Sequence, residues 1–239
     1  MPASDYKTAL VTGASTGMGR AIAERLAEKG LKVHAVARNA KSLEELAATN
    51  GNIVTHVLDV SDTEAVTKVV SGLDIDVLVN CAGITRDTTL KKMSPEQWGE
   101  VINCNLNSVF NTCRCVLEDM LESGYGRIVN ISSINGRKGQ FGQANYAAAK
   151  AGMHGLTMSL AQETATKGIT VNTLSPGYIA TDMIMKIPEK IRESIREGIP
   201  VKRFGEPEEI ARAVCFLADR DSGFITGANL DINGGQFMG

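Results

Sequence analysis

The chain has no excess of either charge: 25 Lys and Arg stand against 27 Asp and Glu, a net charge of −2. No long basic or acidic tract is present, so a nucleic-acid partner is not suggested. No apolar run approaches the roughly 18 uninterrupted residues that a membrane-spanning helix needs. The opening stretch 1–7 lacks the charged-then-apolar pattern of a signal segment. Histidine is scarce, with three residues in 239, and it forms no cluster with cysteine or acid at ligand spacing. No metal site is expected on that ground. Cys81, Cys104, Cys113, Cys115 and Cys215 include no C-x-x-C pair, and they read as reduced, structural thiols of a cytoplasmic protein. Linkers, repeats and low-complexity tracts are also missing, so residues 1–239 are expected to make one domain.

What is there is an alternation. Short apolar runs at 8–12, 33–37, 53–58, 77–80, 128–132, 170–174 and 229–232 read as strands. Helix-length patterns fall between them, near 18–29, 41–48, 63–71, 95–122, 146–167 and 206–219. Near-continuous apolar strands belong in a parallel sheet covered on both faces. The order predicts an α/β fold: a single doubly wound, Rossmann-type domain of about seven parallel strands. The stretch 179–200 interrupts this rhythm after Pro176-Gly177 with a small mixed-charge helix. It reads as a substrate-covering lid rather than an ordinary surface excursion.

After the first strand comes a turn at 12–20 built on Gly13, Ser15, Thr16, Gly17, Met18 and Gly19. Its glycines allow a close approach to a pyrophosphate, and the helix that follows offers free N–H groups and a favourable dipole. The spacing is G-x-x-x-G-x-G rather than G-x-G-x-x-G. At the end of the second strand, where NAD sites place an acid, the chain has Arg38. A guanidinium suits a 2′-phosphate, so NADP(H) is the expected cofactor.

Tyr146 and Lys150 lie four residues apart in an Ala-rich stretch, on one helix face and roughly 6 Å apart along its axis. A cation beside a phenol favours the phenolate, which would make a general acid/base for neutral pH. His154 is eight residues beyond Tyr146, roughly 12 Å along the helix. It is expected to pack or to meet an interface. His34 and His56 are expected to be satisfied residues of strands, and Trp98 a packing residue.

Taken in order, the glycine turn, Asn80-Cys81-Ala82-Gly83, Asn105, Ser133, Tyr146, Lys150 and Pro176-Gly177 resemble the short-chain dehydrogenase/reductase family over essentially the whole chain. The resemblance implies a catalytic tetrad of Asn105, Ser133, Tyr146 and Lys150. In it, Tyr146 protonates a carbonyl oxygen and Ser133 hydrogen-bonds to that oxygen. Lys150 lowers the Tyr146 pKa and binds the nicotinamide ribose, while Asn105 holds a water leading from Lys150 to solvent. It further implies cofactor contacts from Asp59, Val60, Ala82, Gly83, Pro176, Gly177, Ile179 and Thr181. Cys81 departs from the N-N-A-G run of many relatives, which puts a side-chain contact from that position in doubt.

Within the family the chain is similar to the 3-oxoacyl thioester reductases, acetoacetyl-CoA reductases of polyhydroxyalkanoate synthesis among them. The resemblance rests on the stretches 83–87, 131–136, 139–146 and 175–183, and is weaker over 39–75. It implies a substrate site shaped by Asp87, Gln140, Phe141, Gln143 and Tyr178, although Phe141 alone reads equally well as a packing aromatic. Arg137, Lys138, Lys186 and Lys190 flank the expected entrance and could meet CoA phosphates or the acidic surface of an acyl carrier protein, or be plain solvated surface. The neutral stretch 123–126 favours CoA esters over an acyl-carrier-protein substrate. A carrier-protein reductase, a reductase of free carbonyls and a non-catalytic NADP-binding protein stand as alternatives. The resemblance also implies a homotetramer in contact through 95–122, 146–167 and 227–239.

Overall fold

A computed structural model describes residues 7–239, the side chain of Met183 excepted. Residues 1–6, on which the reading of the amino-terminal stretch largely rests, lie outside that range. The first half of the chain runs β1 (Thr8–Thr12), α1 (Gly17–Glu28), β2 (Lys32–Ala37), α2 (Ala40–Ala47), β3 (Ile53–Val57), α3 (Thr63–Val70), β4 (Val77–Asn80), α4 (Pro95–Ile102) and α5 (Ser108–Ser123). The second half runs β5 (Gly126–Ile131), α6 (Ile134–Lys138), α7 (Ala144–Thr164), β6 (Ile169–Pro176), α8 (Asp182–Met185), α9 (Glu189–Glu197), α10 (Pro207–Ala218) and β7 (Asn229–Ile232).

Side chains alternate across a strand, so a strand without a polar face needs apolar cover on both sides. In β1, Ala9 and Val11 enter one core and Leu10 the other. Likewise Val77 and Val79 oppose Leu78 in β4, and Val129 and Ile131 oppose Ile128 in β5. The first core is closed by α1, α2 and α10, through residues such as Ile22, Leu43 and Val214. The second is closed by α3, α5 and α7, through Val66, Val116 and Met153.

The seven strands run in the order β3-β2-β1-β4-β5-β6-β7, and every neighbouring pair is parallel. This is the expected Rossmann-type sheet. Its order reverses between β1 and β4, and a crevice opens beyond the carboxyl ends of strands at such a switch.

The long helix expected over 95–122 is interrupted. It begins at Pro95 with a capping box of Ser94 and Gln97, then widens into a π-turn at Asn103–Asn107 before α5. Such wide turns insert where side chains and backbone make competing bonds. Here the Asn105 amide donates to Ile84 O (2.9 Å) and Val101 O (2.8 Å) and accepts from Ile84 N (3.1 Å). The stretch 179–200 holds two short helices, α8 and α9, rather than one. Trp98 is 40 % exposed, so it is not a core residue. Among the described residues, no helix is long and apolar enough to cross a membrane.

His34 and His56 meet across β2 and β3, with Nδ1 and Nε2 2.9 Å apart and the rings stacked at 5.1 Å. One nitrogen must donate and the other accept, which complementary neutral tautomers satisfy. Burial pushes His34 down to about 4, helped by His56 and Lys32, and burial and Lys32 also lower His56. The unfolded chain therefore binds more protons than the folded one between roughly pH 4 and 6.5, and stability is lost as pH falls through that window. Urea denaturation at pH 7.5 and 5.0 should show the protein losing about 1–2 kcal/mol more than a His34→Val, His56→Thr variant. Equal losses would exclude the pair as an acid-labile element.

Candidate active site

The switch point is held by one hydroxyl. Thr12 Oγ1, at the end of β1, accepts from Cys81 N (3.1 Å) and Ala82 N (3.2 Å), just beyond β4. The approach leaves no room for side chains. At Gly13 (φ +68°) a Cβ would lie 2.8 Å from Ala82 Cα, and at Gly19 it would lie 2.2 Å from Gly13 O. Thr16 precedes α1 without a side-chain cap, so no side-chain oxygen competes for the helix's first N–H groups.

Beside this turn is a cavity of about 440 Å³. Gly13, Ser15, Thr16, Gly17, Met18, Gly19, Arg38, Asp59, Val60, Ala82, Gly83, Tyr146, Lys150 and Thr181 line it. An uncapped helix start, glycine clearances and a guanidinium together fit the phosphates of a dinucleotide. Arg38 Nη1 is 3.5 Å from Asp59 Oδ2. Asp59 Oδ1 accepts from Ser61 N (2.9 Å) and Ser61 Oγ (2.7 Å). Burial raises the Asp59 carboxyl, but the Ser61 bonds and Arg38 outweigh it and hold the group below the usual range.

At the other end of the cavity, Tyr146 and Lys150 share a face of α7, with Lys150 Nζ 5.7 Å from the Tyr146 ring centroid. The sequence expectation that Lys150 lowers the tyrosine pKa is not met here. Burial pushes Tyr146 up to about 12, against a hydrogen bond with Ser133. The ammonium is turned toward Ile131 O (2.8 Å) and is itself disfavoured by burial, which pushes Lys150 down to about 8. The phenol is therefore held protonated, beside a lysine that gives up its proton easily.

Ser133 caps α6, its Oγ accepting from Asn135 N at 3.1 Å. Gly136 lets α6 lie directly on α7, since a Cβ there would be 2.8 Å from the Lys150 carbonyl carbon. A Cβ at Gly83 would be 2.5 Å from Asn105 Oδ1 and 3.6 Å from Lys150 Nζ, so these three residues converge. Asn105 spends its amide on the backbone at 84 and 101, fixing the segment that carries Gly83. His154 is also tied in: its Nε2 is 3.1 Å from Ser132 Oγ, which donates to Lys150 O at 2.9 Å.

Other expected site residues lie outside the cavity lining. Gly177 packs on Asn233, and Ile179 is buried and bridges to Gly205, so they and Pro176 shape the end of β6 instead. Asp87 and Gln143 are brought together, Gln143 Nε2 donating to Asp87 Oδ2 at 2.8 Å. Phe141 is 87 % exposed, which removes its reading as a packing aromatic. Arg137 is engaged with Asp231 (3.6 Å) and Gly239 O (3.2 Å), whereas Lys138, Lys186 and Lys190 are exposed.

Cys81, Ala37, Leu58, Cys104 and Ser132 line the cavity as well. Cys81 belongs to the motif at 80–83 already read from the sequence. The other four flank positions the sequence singled out, and adjacency to them is the signal that could have found them. Burial pushes the Cys81 thiol up to about 11. Among the described residues, no group of His, Cys, Asp and Glu could hold a metal ion.

Residues 7–192 match the model of the short chain dehydrogenase family. The chain is 52 % identical over 243 residues to an acetoacetyl-CoA reductase of Allochromatium vinosum, covering 97 % of this chain and 99 % of that protein. It is 49 % identical to the acetoacetyl-CoA reductase of Cupriavidus necator, with 98 % and 99 % covered. A 3-oxoacyl-[acyl-carrier-protein] reductase of Vibrio harveyi is 44 % identical, with 97 % and 98 % covered. Sheet topology, the glycine-walled cavity and these likenesses agree, and the chain belongs to the short chain dehydrogenase family.

Proposed function

We propose that this chain reduces 3-oxoacyl thioesters with NADPH, acetoacetyl-CoA to (R)-3-hydroxybutyryl-CoA in particular. The observation that carries the reading is Tyr146 and Lys150 side by side at the end of a dinucleotide-sized cavity, in a chain similar over its full length to acetoacetyl-CoA reductases. Bound nicotinamide supplies hydride to the C3 carbon. Tyr146 gives its proton to the C3 oxygen, and Ser133 donates a hydrogen bond to that oxygen as charge develops there. Lys150, which parts with its proton readily, restores the tyrosine, and Asn105 holds the Gly83 segment against it. Holding donor and carbonyl in contact supplies much of the rate.

Gly13, Ser15, Thr16, Gly17, Met18 and Gly19 hold the diphosphate in this reading. Arg38 takes the 2′-phosphate, and Asp59, Val60, Ala82 and Gly83 flank the adenosine side. Pro176, Gly177 and Ile179 act from behind the cavity, and Thr181 from its rim. Asp87, Gln140, Phe141, Gln143 and Tyr178 receive the thioester beneath a lid formed by α8 and α9. The protein is proposed as a cytoplasmic homotetramer. Exposed Phe110 and Leu121 on α5 and Met158 on α7 support contact through those helices.

A carrier-protein reductase is the second reading, favoured by the likeness to the Vibrio harveyi protein. Against it, the stretch before β5 is neutral, and the adjacent Arg127 is 3 % exposed. Its donors go to the carbonyls of Gly126, Gly168, Asp219 and Arg220, so it offers nothing to an acidic partner.

NADPH oxidation with acetoacetyl-CoA beside acetoacetyl-acyl-carrier-protein decides between the two, and the CoA ester is expected to be the better substrate. A preference for the carrier protein moves the enzyme to fatty-acid synthesis. Silence on both points to free carbonyls or to a non-catalytic role. Tyr146→Phe should keep NADPH affinity and lose roughly 10²–10⁴ in kcat, and near-normal turnover would remove Tyr146 as the acid. Arg38→Ala should raise the KM for NADPH by about tenfold or more and leave that for NADH little changed. Equal effects on the two cofactors would remove Arg38 from the choice.

A further inference from the structure

Asp87, Gln143 and Asn135 come from three separate segments and form one chain of hydrogen bonds. Gln143 Nε2 donates to Asp87 Oδ2 (2.8 Å), and Asn135 Nδ2 donates to Gln143 Oε1 (2.8 Å). Asn135 is 9 % exposed, and its Oδ1 is buried without a partner. Asp87 is exposed, yet its loop is tied down on both sides. Thr88 N donates to Gly142 O (2.8 Å), and the buried Asn145 amide donates to Arg86 O (3.3 Å) and Gln97 O (3.2 Å). The carboxylate is thus held where its charge reaches Tyr146 and Tyr178; burial is the larger reason both phenols stay protonated, and Asp87 adds to it.

The direction of the chain follows from its ends. A carboxylate only accepts, so Gln143 must turn its nitrogen toward Asp87. Its oxygen then faces Asn135, and Asn135 must answer with its nitrogen. The unpartnered oxygen is the atom left over at the buried end. Asp87 therefore sets the orientation of two amides, although nothing about either amide alone would prefer one orientation over its flip.

We propose that Asn135 is a positioning residue for thioester binding: it locks the Gln143 amide in the single orientation that Asp87 dictates. This rests on the proposal that Asp87 and Gln143 receive the thioester. A side chain held at both ends presents its remaining N–H to a ligand without an ordering cost, whereas a free amide on a loop loses rotamer entropy on binding.

The test exploits the polarity. Asn135→Asp places an acceptor at each end, so whichever way Gln143 turns, one oxygen faces another. Adding Asp87→Asn removes the conflict and lets the chain form in reverse, with Gln143 Nε2 on residue 135. Asn135→Asp alone should lower Tm by about 2–4 °C and raise the KM for acetoacetyl-CoA roughly tenfold, with kcat and NADPH affinity much less affected. The double variant should recover Tm but not KM, because Gln143 is now turned around.

A wild-type Tm and KM in Asn135→Asp would overturn the proposal. Recovery of KM together with Tm would also overturn it, leaving a structural tie only. Lack of thioester turnover by the unmodified protein marks failure of the functional reading instead, and the Tm coupling between the two substitutions still reports whether the relay exists.

Discussion

Burial of the sheet on both faces is the constraint on which the rest of the structure depends. Strands that carry no polar face cannot lie at a surface, so helices must cover them on each side, and right-handed crossovers place those helices in two layers. The reversal of strand order between β1 and β4 follows from winding the chain both ways from its first strand. A cavity opens beyond the carboxyl ends of β1 and β4 at that point. The site occupies the gap that the topology cannot fill.

Within that gap, close approach matters more than any single strong bond. Gly13, Gly19, Gly83 and Gly136 each stand where a Cβ would meet backbone or an active-site side chain at under 3 Å. They bring the turn onto β4, the Gly83 segment onto Asn105 and Lys150, and α6 onto α7. One consequence is electrostatic. Lys150 is buried, so its ammonium is costly, and desolvation likewise disfavours the phenolate of the partly buried Tyr146. Both shifts favour the same arrangement, a neutral phenol beside a lysine ready to deprotonate.

The polar groups around these residues come in chains rather than pairs. Thr12 bridges two strands, Asn105 bridges a helix and a loop, and His154 reaches Lys150 through Ser132. The Asp87–Gln143–Asn135 relay belongs to the same pattern and, unlike the others, has a direction imposed by a charge. Where buried donors and acceptors are matched in series, a change at one end is felt at the other.

Strand and helix positions and the glycine turn were legible in local periodicity and spacing. Helical spacing paired Tyr146 with Lys150, whereas Ser133 and Asn105 were singled out only by the family resemblance. What was not legible depends on neighbours distant along the chain. The π-turn at 103–107 exists because Asn105 bonds to Ile84, 21 residues away. Helical spacing placed Lys150 near Tyr146 but could not show that burial, rather than the lysine charge, governs the phenol. The same spacing set His154 aside, because its partner Ser132 lies just beyond β5 and not on its own helix. Sequence alone determined which chemical groups are available and on which elements they ride. Only the tertiary structure decided their protonation and orientation, because both are set by desolvation and by bonds between segments that periodicity cannot see.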